Sequence, residues 1–379
     1  MGASPAGAML ELRDPVDAFR RVEEWLAGQG FFAQGDGELR GEELSADLYL
    51  GYGLSQTIRR TASPSPPEPC PALPLAACIV RREAYPVARH DNTTSIPAPD
   101  TGIWEPTWAA SEYVAAIDRV RAAIERGDVY QVNLVQHLAA SCPGDAGELA
   151  GSLATALSHL EPLSGEPFVG DGWAIVSASP ELFLSRRGRR VWTMPIKGTR
   201  PAGRGDELRG SVKDAAEHVM IVDLERNDLS RVCEPGTVRW PELMVTRELA
   251  GVEHMVSRVE GVLRADVGLA EILEATFPGG SVTGAPKIAA VDLIAELESV
   301  GRGASMGALG RVHGNGDFDL ALTIRTFALA ENRVHLWVGG GVVWDSDPAA
   351  EVEESWTKAR PLLEAIGAAD VASVPGGLS

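Results

Sequence analysis

Strand-like and helix-like segments alternate along the chain from about residue 103 to about residue 366. Residues 113–124 place apolar side chains three and four positions apart, which predicts a helix, whereas residues 129–137 alternate like a strand. Because strands and helices are mixed along one continuous stretch, the pattern predicts an α+β architecture.

The same periodicities predict the remaining elements. An N-terminal helix should carry Val16, Phe19, Val22 and Leu26 on one face. The other predicted elements are a strand at 76–80, a strand at 190–193 leading into a loop at 194–198, a helix at 213–229, paired strands at 320–329 and 333–338 with Glu331-Asn332 as the turn, and a helix at 349–366.

We divide the chain of 379 residues into three parts. Residues 1–102 form a short N-terminal region with a Pro- and Ser-rich loop at 61–74, which suits neither a helix nor a central strand. Residues 103–367 form the main domain, and residues 368–379 form a tail that we expect to be frayed.

Composition excludes several classes of protein. Hydrophobic residues make up 45% and charged residues 23%, which is typical of a globular chain. The net charge of −19 disfavours nucleic acid as a partner, and no apolar run is long enough to predict a membrane span. The four cysteines lack paired spacing and no signal peptide is evident, so we expect a cytoplasmic protein.

A lysine in an apolar, glycine-containing segment is the first candidate for chemistry. Lys197 lies in the sequence Pro-Ile-Lys-Gly-Thr-Arg at residues 195–200. Taken alone, a lysine in such a segment is more often a solvated surface residue than a catalytic one. The surrounding motifs change this balance.

Acidic residues near the C-terminus form the second candidate. On a helix Glu351, Glu354 and Lys358 share one face, where the carboxylates could hold Mg²⁺ and an anionic group. The simpler alternative is a solvated Glu354–Lys358 salt bridge. Glu217 lies in line with the apolar face of another predicted helix, and it too could either bind Mg²⁺ or lie at the edge of that face.

Two glycine-rich segments and one arginine complete the candidates drawn from the residues alone. Residues 279–287 lead into a helix whose N-terminus could bind an anion, and Gly339, Gly340 and Gly341 would let a ligand approach the backbone. Each segment can equally be a tight turn. Arg325, on a predicted strand, needs either a ligand carboxylate or a structural partner.

The order of these motifs resembles that of chorismate-binding enzymes. The similarity covers roughly residues 105–365 and makes 103–367 the expected catalytic domain. Its motifs are residues 130–134 (YQVNL), 179–181 (SPE), 195–200 (PIKGTR), 220–229 (MIVDLERNDL), 278–287 (PGGSVTGAPK), 323–326 (TIRT) and 339–341 (GGG). The resemblance implies two β-sheets packed as a sandwich with peripheral helices.

Two positions distinguish the branches of this family. Members that add water to chorismate carry a lysine where this chain has Gln131, and anthranilate synthases typically carry alanine where it has Lys197. The combination resembles the aminodeoxychorismate branch, whose product leads to 4-aminobenzoate for folate or a specialised metabolite. The alternatives are an anthranilate or aminodeoxyisochorismate synthase, or a catalytically silent paralogue that binds chorismate.

The resemblance also implies roles for individual residues. Lys197 would attack the substrate and Glu181 would act as the acid. Chorismate would be contacted by a larger set: Gln131, His254, Thr283, Arg325, Gly339, Gly340, Gly341 and Lys358. Mg²⁺ would be held by Glu217 and Glu354, with Glu351 close by.

The chain departs from the family at a segment that usually contains two tyrosines. Ser305 and Arg311 occupy those positions, and we expect Arg311 to supply a compensating cation to the substrate. A Leu-Leu-Glu-Ser motif for sensing tryptophan is absent, which argues against feedback inhibition by tryptophan. A glutaminase segment is absent as well, so the resemblance implies a separate glutamine amidotransferase subunit that supplies ammonia.

Overall fold

The computed structural model describes residues 7–32, 44–81, 99–201, 203–249 and 252–368. The predicted tail therefore lies outside the described residues, apart from residue 368. The helices are α1 (Ala18–Gly28), α2 (Ala110–Glu125), α3 (Ala146–Leu157), α4 (Gly205–Gly210), α5 (Val212–Ser230), α6 (Leu269–Thr276), α7 (Lys287–Leu297) and α8 (Pro348–Ala365). In this part of the chain no helix has both the length and the apolar character needed to cross a bilayer.

The strands pair only with antiparallel neighbours wherever the structure describes them. They are β1 (Met9–Leu12), β2 (Ser45–Leu50), β3 (Ala76–Arg81), β4 (Glu105–Pro106), β5 (Gln131–Ser141), β6 (Phe168–Val169), β7 (Trp173–Ser177), β8 (Leu182–Arg187), β9 (Arg190–Met194), β10 (Ile196–Pro201), β11 (Arg239–Leu249), β12 (Val252–Val262), β13 (Gly284–Ala285), β14 (Ala308–His313), β15 (Phe318–Leu322), β16 (Thr326–Ala330) and β17 (Arg333–Val342).

Two sheets result from this pairing. The large sheet has the order β1-β3-β2-β14-β15-β8-β9-β12-β10, with β11 also paired to β12. The small sheet has the order β13-β5-β17-β16-β7-β6, with β4 also paired to β5. Tyr49 of the large sheet contacts the ring of Trp173 of the small sheet, with centroids 6.3 Å apart. The predicted α+β fold, with sheets packed against each other, is confirmed.

The helices cover the outer surfaces of this pair of sheets. Helices α2, α7 and α8 pack on the β5–β17 part of the small sheet, and α3 packs on β7. Strand β5 is therefore buried along almost its whole length. Helices α4 and α5 pack on β10 and β12 at one end of the large sheet. The N-terminal strands β1–β3 belong to the same large sheet as β14, whereas the domain boundary after residue 102 stays a prediction.

The prediction of one strand across residues 320–329 is wrong. Strand β15 belongs to the large sheet and β16 to the small sheet, and residues 323–325 cross between them. Arg325 turns the backbone there with a φ of 50°. Both halves are apolar because both sheets bury them, so alternation alone does not reveal the crossover. The turn at Glu331-Asn332 is confirmed, since Ala330 pairs with Arg333 across it.

The N-terminal helix is confirmed except at its start. Phe19, Val22 and Leu26 are buried, but α1 begins at Ala18 and Val16 is 60% exposed. Asp17 adopts a left-handed φ of 51°, so the helical backbone does not extend back to Val16. The Pro- and Ser-rich loop at 61–74 contains neither helix nor strand, as predicted.

A buried ion pair ties α7 to the strands that carry the candidate site. Arg302 lies 2.7 Å from Glu298, and both side chains are at most 3% exposed. The Arg302 guanidinium also donates to the carbonyl oxygens of Val282 and Asn133, and Glu298 accepts the Val135 amide. These bonds fix the start of β5 against residues 280–283.

We expect Arg302→Met to lower the free energy of unfolding by about 3–5 kcal/mol, because it leaves the Glu298 carboxylate buried without its partner. Arg119→Met is the matched control, since Arg119 of α2 pairs with Glu296 of α7 and both side chains are more than half exposed. Its effect should stay below about 1 kcal/mol in urea unfolding. Equal effects of the two substitutions would contradict the importance of the buried pair.

Candidate active site

Lys197 lies on the edge strand of the large sheet. The predicted loop at 194–198 is wrong, because β10 begins at Ile196 and pairs with β12. The register shifts between Lys197 and Thr199, and Gly198 between them has a φ of 70°. This irregularity is a bulge that a residue without Cβ accommodates. The Lys197 amine donates to the Ser281 carbonyl oxygen at 3.4 Å.

Glu181 is a buried acidic residue that contacts the start of this strand. It directly precedes β8, is 5% exposed, and its Oε1 accepts the Ile196 amide at 3.3 Å. Burial raises the pKa of Glu181 more than its polar neighbours, Lys197 and Arg325 among them, lower it. Burial also lowers the pKa of Lys197, against the opposing charges of Glu181 and Glu217. Both groups are shifted toward their neutral forms.

Three charged side chains of α8 gather over the glycines of β17. A Cβ atom at Gly340 would lie 3.3 Å from Lys358 Nζ, 3.4 Å from Glu354 Oε1 and 3.5 Å from Glu351 Oε2. Lys358 Nζ also lies 2.8 Å from Glu354 and donates to the Gly339 carbonyl oxygen at 2.9 Å. The helical face predicted from spacing is confirmed, and so is the Glu354–Lys358 salt bridge. The salt bridge lies against β17, where Gly340 lets the three side chains approach the backbone closely.

Electrostatics connect this cluster with Lys197. Burial lowers the pKa of the Lys197 amine, the charges of Glu217 and Glu354 raise it, and the charge of Lys358 lowers it. Glu217 lies half-buried on α5, and Glu354 lies on α8. The structure therefore brings carboxylates from two distant helices within electrostatic range of one amine, which the sequence alone could not establish.

The carboxylates suit a magnesium ion by their chemistry. Among the described residues no group of three or more His, Cys, Asp or Glu side chains is arranged to hold a metal ion. Mg²⁺ is commonly bound by one or two carboxylates, with substrate and water oxygens completing its coordination. Glu217, Glu351 and Glu354 supply donors of this kind, so the residues fit Mg²⁺ and its binding stays a prediction.

Polar groups from β5 and residues 280–283 line the space beside the glycines. Gln131 is fully buried, and within the described residues neither its Nε2 nor its Oε1 has a hydrogen-bond partner. A Cβ atom at Gly341 would lie 2.5 Å from Gln131 Nε2, so Gly341 is needed for this packing. Thr283 is buried and donates its hydroxyl to the Gly279 carbonyl oxygen at 2.8 Å. Gln131 thus offers an unused amide to a ligand.

Arg325 and His254 lie within electrostatic range of each other. Arg325 is half-buried at the crossover between the sheets, not on a strand as predicted, and its charge acts on both Glu181 and His254. His254 opposes Thr199 across β12 and β10. Burial and then Arg325 lower the pKa of His254 to about 4, so its imidazole is neutral at pH 7.

The structure does not bring Arg311 to this group. Arg311 lies on β14 and its guanidinium bonds to Asp47 of β2 at 2.8 and 2.9 Å. Asp47 also pairs with Arg81 of β3. The Arg311 guanidinium is thus already paired within the large sheet, and its contact with the substrate stays a prediction. Ser305 is buried near the crossover and donates to the Thr323 carbonyl oxygen at 3.3 Å.

Sequence reasoning assigned no role to three charged residues behind the site. Glu225 and Asp228 are buried on α5, and Lys287 of α7 is half-buried against Asp228. They belong to the segments MIVDLERNDL and TGAPK, which were recognised as motifs. Three charged residues within apolar segments are a signal for a buried ion pair, although only the structure shows that they meet.

Comparison with known proteins decides the family. The family described as chorismate binding enzyme matches residues 57–364 of the chain. The chain belongs to the chorismate-binding enzyme family. Aminodeoxychorismate synthase component 1 of Klebsiella aerogenes is 40% identical over 271 residues, which cover 69% of this chain and 59% of that protein.

Anthranilate synthases are about equally similar to this chorismate-binding enzyme. Anthranilate synthase component 1 of Streptomyces coelicolor is 38% identical over 283 residues, covering 71% of this chain and 54% of that protein. The chain thus spans less than two thirds of the length of these curated relatives. Anthranilate synthase component I from Streptococcus pneumoniae has a TM-score of 0.78 at 24% identity, covering 96% of this chain and 93% of that one. That structural similarity concerns the fold.

Proposed function

We propose that the chain is an aminodeoxychorismate synthase component I, which converts chorismate and ammonia to 4-amino-4-deoxychorismate. The observation that carries this proposal is Lys197 beside Glu181, an amine and an acid both shifted toward their neutral forms. A neutral amine is a nucleophile and a neutral carboxylic acid is a proton donor. Relatives from Klebsiella aerogenes and Salmonella typhimurium carry this name at 40% and 38% identity.

Binding of the substrate would rest on the cationic and backbone groups of the site. Arg325 and Lys358 would bind the carboxylates of chorismate, assisted by the backbone of Gly339–Gly341. The unused amide of Gln131 and the neutral imidazole of His254 would contact the ring substituents. The site would thus supply locally the positive charge that a chain of net charge −19 lacks overall.

The chemical steps follow from the two neutral groups. The Lys197 amine would form a bond to C2 of chorismate while the C4–O bond breaks, and Glu181 would give its proton so that the hydroxyl leaves as water. Ammonia would then bond to C4 as the Lys197 amine leaves C2, and the proton lost by the ammonium nitrogen would return to Glu181. The product is 4-amino-4-deoxychorismate.

Magnesium would be held by Glu217 and Glu354, with Glu351 beside them. When bound, Mg²⁺ supplies positive charge against a substrate carboxylate. The residues of the chain would orient that carboxylate between α5 and α8, over the glycines of β17.

We expect Glu354→Gln to weaken binding of Mn²⁺, a spectroscopic substitute for Mg²⁺, by about tenfold or more, because an amide is a poorer ligand than a carboxylate. Electron paramagnetic resonance of free Mn²⁺ measures this binding in the presence of chorismate. Glu353→Gln is the control, since Glu353 is its exposed neighbour on α8 and pairs with Arg360. Unchanged Mn²⁺ affinity in Glu354→Gln would exclude this carboxylate as a ligand.

Ammonia would come from a glutamine amidotransferase subunit. The relatives are named as component 1, which implies a second component. The proposal expects the chain alone to use ammonium and to use glutamine only after that subunit is added.

The assay that tests the function combines purified chain, chorismate, Mg²⁺ and excess ammonium. The proposal expects 4-aminobenzoate only when an aminodeoxychorismate lyase is added. The second candidate, anthranilate synthase, is favoured by relatives at 38% and 41% identity that carry that name. It expects anthranilate without the lyase, and chorismate bound without any product would instead indicate a silent paralogue.

A further inference from the structure

Three charged side chains lie together within electrostatic range of Glu181, and the steps above use none of them. Glu225 and Asp228 on α5 are 4% and 3% exposed. Lys287, at the start of α7, lies 2.5 Å from Asp228 Oδ2 and donates to the Thr276 carbonyl oxygen at 2.7 Å. Asp228 and Lys287 therefore satisfy each other, which leaves Glu225 as the acidic group in need of a different partner.

The partner of Glu225 is a backbone amide of the turn whose next residue bonds to Lys197. Glu225 Oε1 accepts the Gly280 amide at 3.1 Å. A Cβ atom at Gly280 would lie 2.6 Å from Leu224 Cδ2 and 3.1 Å from Glu225 Oε1, so the turn is pressed against α5. The next residue, Ser281, presents the carbonyl oxygen that accepts the Lys197 amine. Gly280, which bonds to Glu225, thus directly precedes Ser281, which bonds to the Lys197 amine.

We propose that Glu225 is a positioning residue, which fixes the turn at Gly280–Val282 and thereby holds the Ser281 carbonyl against the amine of Lys197. Glu225 bonds to the Gly280 amide and acts through the backbone of the turn. The inference concerns the site of the proposed function, but its main readout is the reactivity of Lys197, which does not require that function.

The charges around Glu225 determine its form at neutral pH. Burial and the Asp228 charge raise the pKa of Glu225 to about 8, Glu181 also raises it, and Lys287 and the Gly280 amide lower it. Below pH 8 the carboxyl is therefore mainly protonated, and its carbonyl oxygen still accepts the Gly280 amide. Above pH 8 it ionises and adds a negative charge near Glu181, Asp228 and Lys287. Glu225→Gln reproduces the neutral form and keeps the acceptor.

The experiment measures acetylation of Lys197 by a trace of acetic anhydride from pH 6 to pH 10, with peptides resolved by mass spectrometry. Lys197 is one of only four lysines in the chain, so each is followed separately. In Glu225→Ala the Ser281 carbonyl is no longer held, the ammonium form loses an acceptor, and Lys197 should react about threefold or more faster at pH 7. Lys358 serves as the internal reference.

Glu225→Gln should match the wild-type chain within about twofold at pH 7, because the amide keeps the acceptor. Above pH 8 it should react faster than wild type, since the wild-type Glu225 becomes negative and stabilises the ammonium form of Lys197. Glu271→Ala, an exposed acidic position on α6, controls for a general effect of removing a carboxylate. In the amination assay Glu225→Ala should lower kcat about tenfold and leave KM nearly unchanged.

A Lys197 profile in Glu225→Ala that overlays wild type, with only a lower melting temperature, would reduce Glu225 to a structural role and overturn the proposal. If Glu225→Ala does not fold, Glu225→Ser takes its place, since serine is too short to reach the Gly280 amide, and a Lys197 profile that overlays wild type would overturn the proposal in the same way. Should the chain aminate no chorismate at all, the acetylation profiles still decide the role of Glu225, so failure of the two proposals is distinguishable.

Discussion

Lys197→Ala is expected to reduce kcat for chorismate amination by about 10³-fold or more, because the chain loses the only amine placed beside Glu181 among the described residues. Lys197→Arg is the informative companion, since it keeps a positive charge in the site but offers no nucleophile at neutral pH. Both variants should be inactive if the amine bonds to the substrate. The measurement is product formation with saturating ammonium and added lyase.

Activity retained in Lys197→Arg alone would mean that the residue acts only by its charge. Turnover in Lys197→Ala that yields anthranilate would move the chain to the anthranilate branch. Since the hydrogen bond that Lys197 donates to the Ser281 carbonyl oxygen is long, at 3.4 Å, neither substitution should unfold the protein. Melting temperatures close to wild type would show that the loss is chemical.

Glu181→Gln is expected to reduce kcat by about 10²–10⁴-fold, which is the usual contribution of a general acid. Glutamine fills nearly the same volume and can still accept the Ile196 amide, so the strand should keep its position. What the variant loses is the proton that would leave with the C4 hydroxyl. The measurement is the pH dependence of kcat in wild type and variant.

The pKa shifts of Lys197 and Glu181 determine whether activity rises or falls with pH on each side of its optimum. The reaction needs Lys197 neutral, so activity should rise with pH through the lowered pKa of the amine. It needs Glu181 protonated, so activity should fall as pH passes the raised pKa of the carboxyl. The wild-type profile should be bell-shaped, and the residual activity of Glu181→Gln should lack the alkaline limb. An alkaline limb that persists in the variant would assign the acid role to another group.

Local patterns were enough to predict most of the elements around the site. The apolar spacing of residues 113–124 and 349–366 gave α2 and α8 because each buries one face against the small sheet. The i, i+3 and i+7 spacing of Glu351, Glu354 and Lys358 correctly placed them on one face of α8. Such relations depend only on the period of a single helix, which is fixed by backbone geometry.

Relations between distant segments could not be predicted from the sequence. The crossover at Arg325 depends on which sheet accepts each half of an apolar stretch, and that is settled by tertiary packing. The ion pair of Arg311 could not be predicted for the same reason, since its partner Asp47 lies 264 positions earlier in the chain. The contact between Glu225 and the Gly280 amide also joins two separate segments, and the periodicity of the sequence does not predict it.

The most direct test of the central claim is the mass of the Lys197 peptide after the chain is mixed with chorismate and Mg²⁺ without ammonium and then quenched. The account predicts an adduct of chorismate less one water on Lys197, which disappears when ammonium is added and does not form in Lys197→Arg. Steady formation of 4-amino-4-deoxychorismate with no such adduct at any quench time, or an adduct on another residue, would contradict it.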